Sequence, residues 1–223
     1  CMVALDITHA VAEEAIAAGC QLIVSHHPIM NCKWSQVQTV RDDTFQGSLL
    51  TRLLRANVSA ICMHTNLDVA EGGVNDVLAQ ALGIRKPERF TNEGAGRCGW
   101  RAEPMALPEF VRLVSKALGC NGVRYADAGK PVHRVAVGGG ACGEFEDAAI
   151  YAGCDTFVTS DLSYHQFVDA KVKGINLIDA GHFPTEDPVC EKVIAFLSGR
   201  FPSLRVQKSA SHKEAIQYYV EGE

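Results

Sequence analysis

At 223 residues, 47% of them apolar and 21% charged, the chain can bury a sizeable globular core, as one domain or as two packed halves. A formal net charge of −5 argues against a general nucleic-acid or anionic-membrane surface, and no apolar run approaches the roughly 20 residues that span a bilayer. The nine cysteines are an odd number without a Cys-x-x-Cys pair, which fits reduced thiols in a cytoplasmic protein better than a disulfide framework.

The chain opens Cys1-Met2-Val3-Ala4-Leu5-Asp6, without a basic n-region. It reads as the inside of a strand, so the start is expected to be truncated. Val3–Ile7 predicts a strand and Ala10–Ala18 a helix stopped by Gly19. Leu22–Ser25 is an apolar, β-branched run that ends in His26-His27-Pro28, where proline cannot continue a ladder. Asn31–Asp43 is polar, without a clear period, and is expected to form a loop over the site. Asp43–Ala56 predicts a helix with Leu49, Leu50, Leu53 and Leu54 on one face, and Val58–Cys62 a strand running into Met63-His64-Thr65-Asn66-Leu67-Asp68. Asn75–Leu82 is a helix, and residues 85–104, rich in Gly and Pro, a connector with short strands. Beyond it Pro108–Leu118 is helical, and Val132–Val137 is a strand leading to Gly138-Gly139-Gly140. Phe145–Ala152, Tyr164–Lys173 and Pro188–Leu197 are helices, and Thr156–Thr159 and Asn176–Asp179 strands. Strands alternating with helices predict an α/β fold.

The chain also repeats itself. Residues 15–24 align without gaps on 149–158, with six of the ten positions identical. Each copy reads helix, Gly stop, strand and a polar strand end: Ser25-His26-His27 in one, Thr159-Ser160-Asp161 in the other. A strand and a second polar signature follow in both, His64-x-x-x-Asp68 and His182-x-x-x-Glu186. The reading is an internal duplication, with two similar α/β halves, 1–92 and 93–223, packed around a shared cleft and no inserted domain.

The polar strand ends carry three imidazoles, of His26, His27 and His182, and two carboxylates, of Asp68 and Glu186. If Pro184 opens a helix, His182 and Glu186 straddle its start. Side chains adjacent on a strand point to opposite faces, so His26 and His27 share one site only where the backbone turns or where two ions lie between them. Five ligands are too many for one catalytic ion with an open position but suit two ions about 3.5–4 Å apart. An N/O set without thiolate favours Zn²⁺, Mn²⁺ or Fe²⁺. His64 is left as a ligand, a general acid/base or a donor that orients Asp68, and His165 raises the same question. Asp161 could cap the helix that follows it. The glycines at 138–140 read equally as a phosphate cradle or as a tight turn.

Ser25-His26-His27-Pro28, His64-Thr65-Asn66-Leu67-Asp68, Ser160-Asp161-Leu162-Ser163-Tyr164-His165 and Asp179-Ala180-Gly181-His182-Phe183-Pro184-Thr185-Glu186 together resemble the YbgI-like, or Nif-three-like, dinuclear metal-centre family, often named GTP cyclohydrolase 1 type 2. Gly96-Arg97-Cys98-Gly99 and Arg134-Val135-Ala136-Val137 extend the resemblance over nearly the whole chain. Family members begin about thirty residues earlier and carry a Ser in the Gly-rich turn, where this chain has none, and the stretch Ser209–Glu223 lacks the usual closing pattern. The resemblance implies that His26, His27, Asp68, His182 and Glu186 ligate two divalent ions, in a ring-shaped homohexamer with the sites facing its interior. It implies hydrolytic opening of the GTP purine ring, with His64 or His165 moving protons and the glycine turn near the phosphates. The alternatives are a phosphoester or amide hydrolase on the same centre, or a metal-binding scaffold or regulatory partner protein.

Overall fold

The computed structural model describes residues 1–30 and 39–219; most of the loop expected over residues 31–43 lies outside the described residues. In chain order the elements are β1 (Met2–Ala4), α1 (His9–Ala17), β2 (Leu22–Ser25), α2 (Phe45–Arg55), β3 (Ser59–Cys62), α3 (Thr65–Val69), α4 (Val74–Ala81), β4 (Arg85–Glu88) and β5 (Arg97–Met105). There follow α5 (Leu107–Leu118), β6 (Arg124–Ala126), β7 (Val132–Val137), a 3₁₀ turn at Gly143–Phe145, α6 (Glu146–Tyr151), β8 (Thr156–Thr159) and α7 (Tyr164–Lys173). The chain closes with β9 (Asn176–Asp179), α8 (His182–Glu186), α9 (Val189–Arg200) and β10 (Gln207–Lys208). The fold is α/β, as the alternation predicts. Among the described residues no helix is long and apolar enough to cross a membrane.

Contacts divide the chain into two units, Cys1–Leu67 with Cys190–Lys213, and Asp68–Val189 with Glu214–Glu223. The segment 68–92, assigned to the first half by the repeat, belongs by contact to the second unit. The first unit holds a four-stranded parallel sheet in the order β10-β1-β2-β3. Met2, Ile23 and Val11 are buried in one core with Leu49 and Leu53 of α2. Thr8 starts α1 because its hydroxyl accepts the Val11 N–H at 3.2 Å. Leu54, expected on the buried face of α2, is instead exposed, since the stripe that faces the core is set by Leu49 and Leu53, one turn apart.

The second unit holds a six-stranded sheet in the order β4-β5-β7-β8-β9-β6, with β7, β8 and β9 parallel at its centre. Alternate residues of these strands serve two cores. Val135, Val137, Val158 and Ile178 pack with Leu78, Leu82, Phe110 and Val114, whereas Ala136, Phe157 and Leu177 pack with Ala149 and Ala170. Each fully buried Phe, Leu or Val there contributes about 1.5–3 kcal/mol. β5 corrects the expectation of a connector with short strands, because it is nine residues long and pairs with both β4 and β7. Its Gly99 reads as a breaker in sequence, but a Cβ there would sit 2.5 Å from the Arg85 carbonyl oxygen, so glycine is what lets β4 close on this strand.

The repeat reappears inside each unit. Met2 pairs with Ile23 and Val3 with Val24 in the first sheet; Ala136 pairs with Phe157 and Val137 with Val158 in the second. The helix before each second strand closes with the same pair of bonds. Gly19 N donates to Ile16 O at 3.0 Å and Cys20 N to Ala15 O at 2.8 Å; Gly153 N donates to Ile150 O at 2.8 Å and Cys154 N to Ala149 O at 3.0 Å. Duplication of one α/β unit remains the proposal that accounts for this.

Candidate metal centre

Three imidazoles gather at the strand ends of the first unit. β2 stops at Ser25, and the backbone N–H groups of His26 and His27 both donate to Leu5 O, at 3.2 and 2.9 Å. The chain therefore turns off the sheet, so two neighbouring side chains can sit together, with ring centroids 4.8 Å apart. His64, just after β3, brings a third ring to 5.0 Å from that of His26 and 5.6 Å from that of His27. One donor atom from each of the three lies within 4.8 Å of the others. His26 is buried, whereas His64 is exposed.

What these rings are tied to decides their chemistry. His26 Nδ1 lies 2.7 Å from the Met63 carbonyl oxygen, and His27 Nδ1 2.7 Å from Asp6 Oδ1. Both partners only accept, so Nδ1 carries the proton in each ring and Nε2 has the lone pair a metal ion would take. No sequence pattern points to Asp6, which lies 21 positions before His27 and just beyond a different strand, β1. Burial works to raise its carboxyl, but hydrogen bonds from His212 and His27 hold it well below the ordinary carboxylate range.

In the second unit His182 and Glu186 sit beyond the carboxyl end of β9, where α/β sheets place ligands. α8 starts at His182, two residues earlier than an opening at Pro184 would have it, so His182 and Glu186 lie one turn apart on one face. His182 Nε2 is 3.1 Å from Glu186 Oε2, and its Nδ1 is 2.5 Å from Asp161 Oδ2. A carboxylate oxygen of Asp68 lies within 4.8 Å of one of Glu186. Asp161 does not cap α7, since Ser163 does so in a capping box with Gln166. It adopts φ +55°, a conformation that costs a non-glycine residue energy, and in it the carboxylate reaches His182. The Glu186 carboxylate, opposed by burial and helped by Asp161, raises the His182 imidazole to about 9.

The glycine turn is a packing device and not a phosphate cradle. Gly139 N donates to Asn75 Oδ1 at 2.9 Å and Gly140 N to Thr185 Oγ1 at 3.0 Å, so both amides are used inside the protein. Asn75 also donates from Nδ2 to the backbone oxygen of Asp68 at 3.0 Å, holding that residue to the same turn. At Gly140, φ is +68° and a Cβ would sit 2.2 Å from Glu186 Oε1. Glycine is required there twice over, by conformation and by the closeness of the carboxylate. Burial, with the charges of Asp68 and Glu186 nearby, pushes the Cys142 thiol up to about 12.

These groups of histidines and carboxylates could hold a metal ion. The fit is chemical: imidazoles tethered at Nδ1, and paired carboxylates, suit a borderline divalent cation. Among the described residues the donor clusters include His64 but not His165, whose exposed ring packs edge-on against Tyr164 at 5.6 Å.

The model of the Duf34/NIF3 (NGG1p interacting factor 3) family matches residues 1–215. The chain belongs to this family. Among NIF3 relatives, a protein of Clostridium perfringens named GTP cyclohydrolase 1 type 2 homolog is 33% identical over 209 residues, covering 91% of this chain and 79% of its own length. A protein of the same name from Nostoc is 33% identical over 227 residues, covering 98% of this chain and 84% of the relative. The NIF3 fold is seen in a hypothetical protein of Staphylococcus aureus, with a TM-score of 0.88 at 26% identity over 98% of this chain and 86% of that one. The ybgI protein, of unknown function, gives 0.84 at 24% identity over 93% of this chain and 82% of its own.

Proposed function

We propose that this NIF3 protein is a divalent-metal-dependent hydrolase of the cytoplasm, with His26, His27, Asp68, His182 and Glu186 as the ligands of two ions. The observation that carries the reading is the tethering of Nδ1 in His26 and His27 to an oxygen acceptor, which leaves Nε2 as the donor of each ring; His182, tethered at Nδ1 by Asp161, would offer Nε2 once an ion displaced its proton. Zn²⁺, Mn²⁺ or Fe²⁺ held by these residues would lower the pKa of water and polarise a substrate oxygen or ring atom. Asp6 and Asp161 fix the orientation of the His27 and His182 rings, and the glycine turn lies close against the Glu186 carboxylate. His64 stands beside His26 and His27 and is the group we assign to proton transfer; His165 is the second candidate. The relatives' name supports a nucleotide substrate and hydrolytic opening of the GTP purine ring; the homohexamer is proposed from the family resemblance alone.

Metal analysis of gently purified protein tests the centre, followed by a screen of nucleotides for turnover. Two ions per subunit are expected, and Glu186→Ala should lose at least one; intact stoichiometry in that variant would refute the ligand assignment. His64→Ala should keep both ions and the oligomer while turnover falls about 10²–10⁴-fold. Loss of metal in that variant would make His64 a sixth ligand.

A second reading, a scaffold or regulatory partner protein, is favoured by one observation. Tyr164, Val168 and Val172 form an exposed apolar row at i, i+4 and i+8 along α7, with Val172 91% exposed. On that reading His64→Ala is silent in turnover assays, and mutating the row abolishes partner binding.

A further inference from the structure

Residues 207–212 are strapped across the first unit and reach Asp6, which binds His27. β10 lies parallel to β1, and Ser209 N donates to Val3 O at 2.8 Å. The Glu14 carboxylate then takes three bonds from the strap, from Ser209 Oγ at 2.6 Å and from Ala210 N and Ser211 N, both at 2.9 Å. These anchors deliver His212, whose side chain is 10% exposed, with Nε2 2.9 Å from Asp6 Oδ2 and 3.2 Å from the Asp6 backbone nitrogen. One ring nitrogen cannot both donate and accept along these lines. The carboxylate, charged and closer, is the stronger partner, so His212 donates to it. The other oxygen of Asp6 holds His27 Nδ1 at 2.7 Å.

We propose that His212 is a positioning residue for the metal site: it clamps one oxygen of Asp6 so that the other fixes the orientation and tautomer of His27. The inference rests on the reading of His27 as a metal ligand. A carboxylate bonded at one oxygen can rotate about Cβ–Cγ, and the Asp6 side chain is 40% exposed, so water competes for it. A second imidazole on the other oxygen removes that freedom. The strap is thereby part of the site although no residue of it is a donor.

The test is zinc affinity, measured by chelator competition on the whole chain, beside the melting temperature of the metal-free protein. His212→Ala and His212→Leu, which lack the donor, should weaken zinc binding by roughly tenfold, the lower end of what groups behind a ligand supply. His212→Gln places an N–H near the Nε2 position and should restore affinity to within about threefold of wild type. Wild-type affinity in the Ala and Leu variants, with only a lower melting temperature, would make the strap a structural staple and overturn the inference alone. Equal losses in all three variants would also overturn it. A wild-type chain that takes up no zinc would instead overturn the metal-centre reading itself.

Discussion

Gly140→Ala separates the geometry of the proposed centre from the stability of the fold. The methyl group would meet Glu186 Oε1 at 2.2 Å, Glu186 Cδ at 3.0 Å and His182 Nε2 at 3.2 Å. Restoring an ordinary contact of about 3.4 Å moves the carboxylate by roughly 1 Å, twice the tolerance of about 0.5 Å within which a metal constellation functions. The carboxylate is the far end of a flexible side chain, so the collision is relieved by displacing the ligand and not by unfolding the turn. What stability loses is then the left-handed backbone, about 1–2 kcal/mol, or roughly 2–8 °C of melting temperature for a chain of this size. Metal affinity should fall by more than tenfold. Gly129→Ala is the control, because its φ is +75° and none of the described residues lies within 4 Å of the added methyl; it should show the thermal loss and bind metal normally. Both variants are read by calorimetry and by chelator competition. Wild-type metal affinity in Gly140→Ala would refute the reasoning, as would equal affinity losses in the two.

Other outcomes follow from groups outside the centre. Arg97 is 4% exposed and binds Asp76 through Nε at 2.5 Å, so Asp76→Ala leaves a buried guanidinium without its carboxylate and should cost roughly 3–5 kcal/mol in urea unfolding; a loss below 1 kcal/mol would show that the carbonyls of Gly94 and Gly96 suffice. Glu14 is held to about 2, against an ordinary 4.5, by the bonds from Ser209, Ala210 and Ser211 that outweigh the effect of burial. Its folded-state pKa is depressed, so its contribution is present above 4.5 and lost as pH falls through about 2. Protection of the Ala210 and Ser211 amides, measured relative to intrinsic exchange, should fall across that window, weakly because the group is solvent-screened, and Glu14→Gln should remove that fall. The eight cysteines among the described residues are free thiols, so a reductant should leave the melting temperature unchanged; a large drop would show a disulfide essential to the fold.

The sequence carried the strands and donor residues because buried parallel strands are short, β-branched runs and the chemistry follows directly at their ends. Leu22–Ser25, Thr156–Thr159 and Asn176–Asp179 have the same bounds in sequence and structure. β5 was hidden because Gly99 and Pro104 break the local pattern while the pairing partners lie elsewhere in the chain. The tethers were hidden for the same reason. Asp6 and His212 are 206 positions apart, and no periodicity relates either to His27. Asp161 was visible as a residue but not as a tether, since its role depends on a left-handed backbone that a capping pattern does not reveal. For the glycine turn the ambiguity lay between two uses of the same backbone, and only the engagement of its amides by Asn75 and Thr185 decides it.

The strap also bears on how the molecule is made. All six strands of the second sheet lie between Arg85 and Asp179, so that sheet can assemble before residues 207–219 are synthesised. The first sheet is different: its edge is completed by β10, with Gln207 N donating to Cys1 O at 3.1 Å across nearly the whole chain. Contacts of that separation form late, after the loop between them has closed. Until then β1 presents an open parallel edge, an invitation to wrong pairings during translation. Partial chains released before residue 207 should be the aggregation-prone products of this protein.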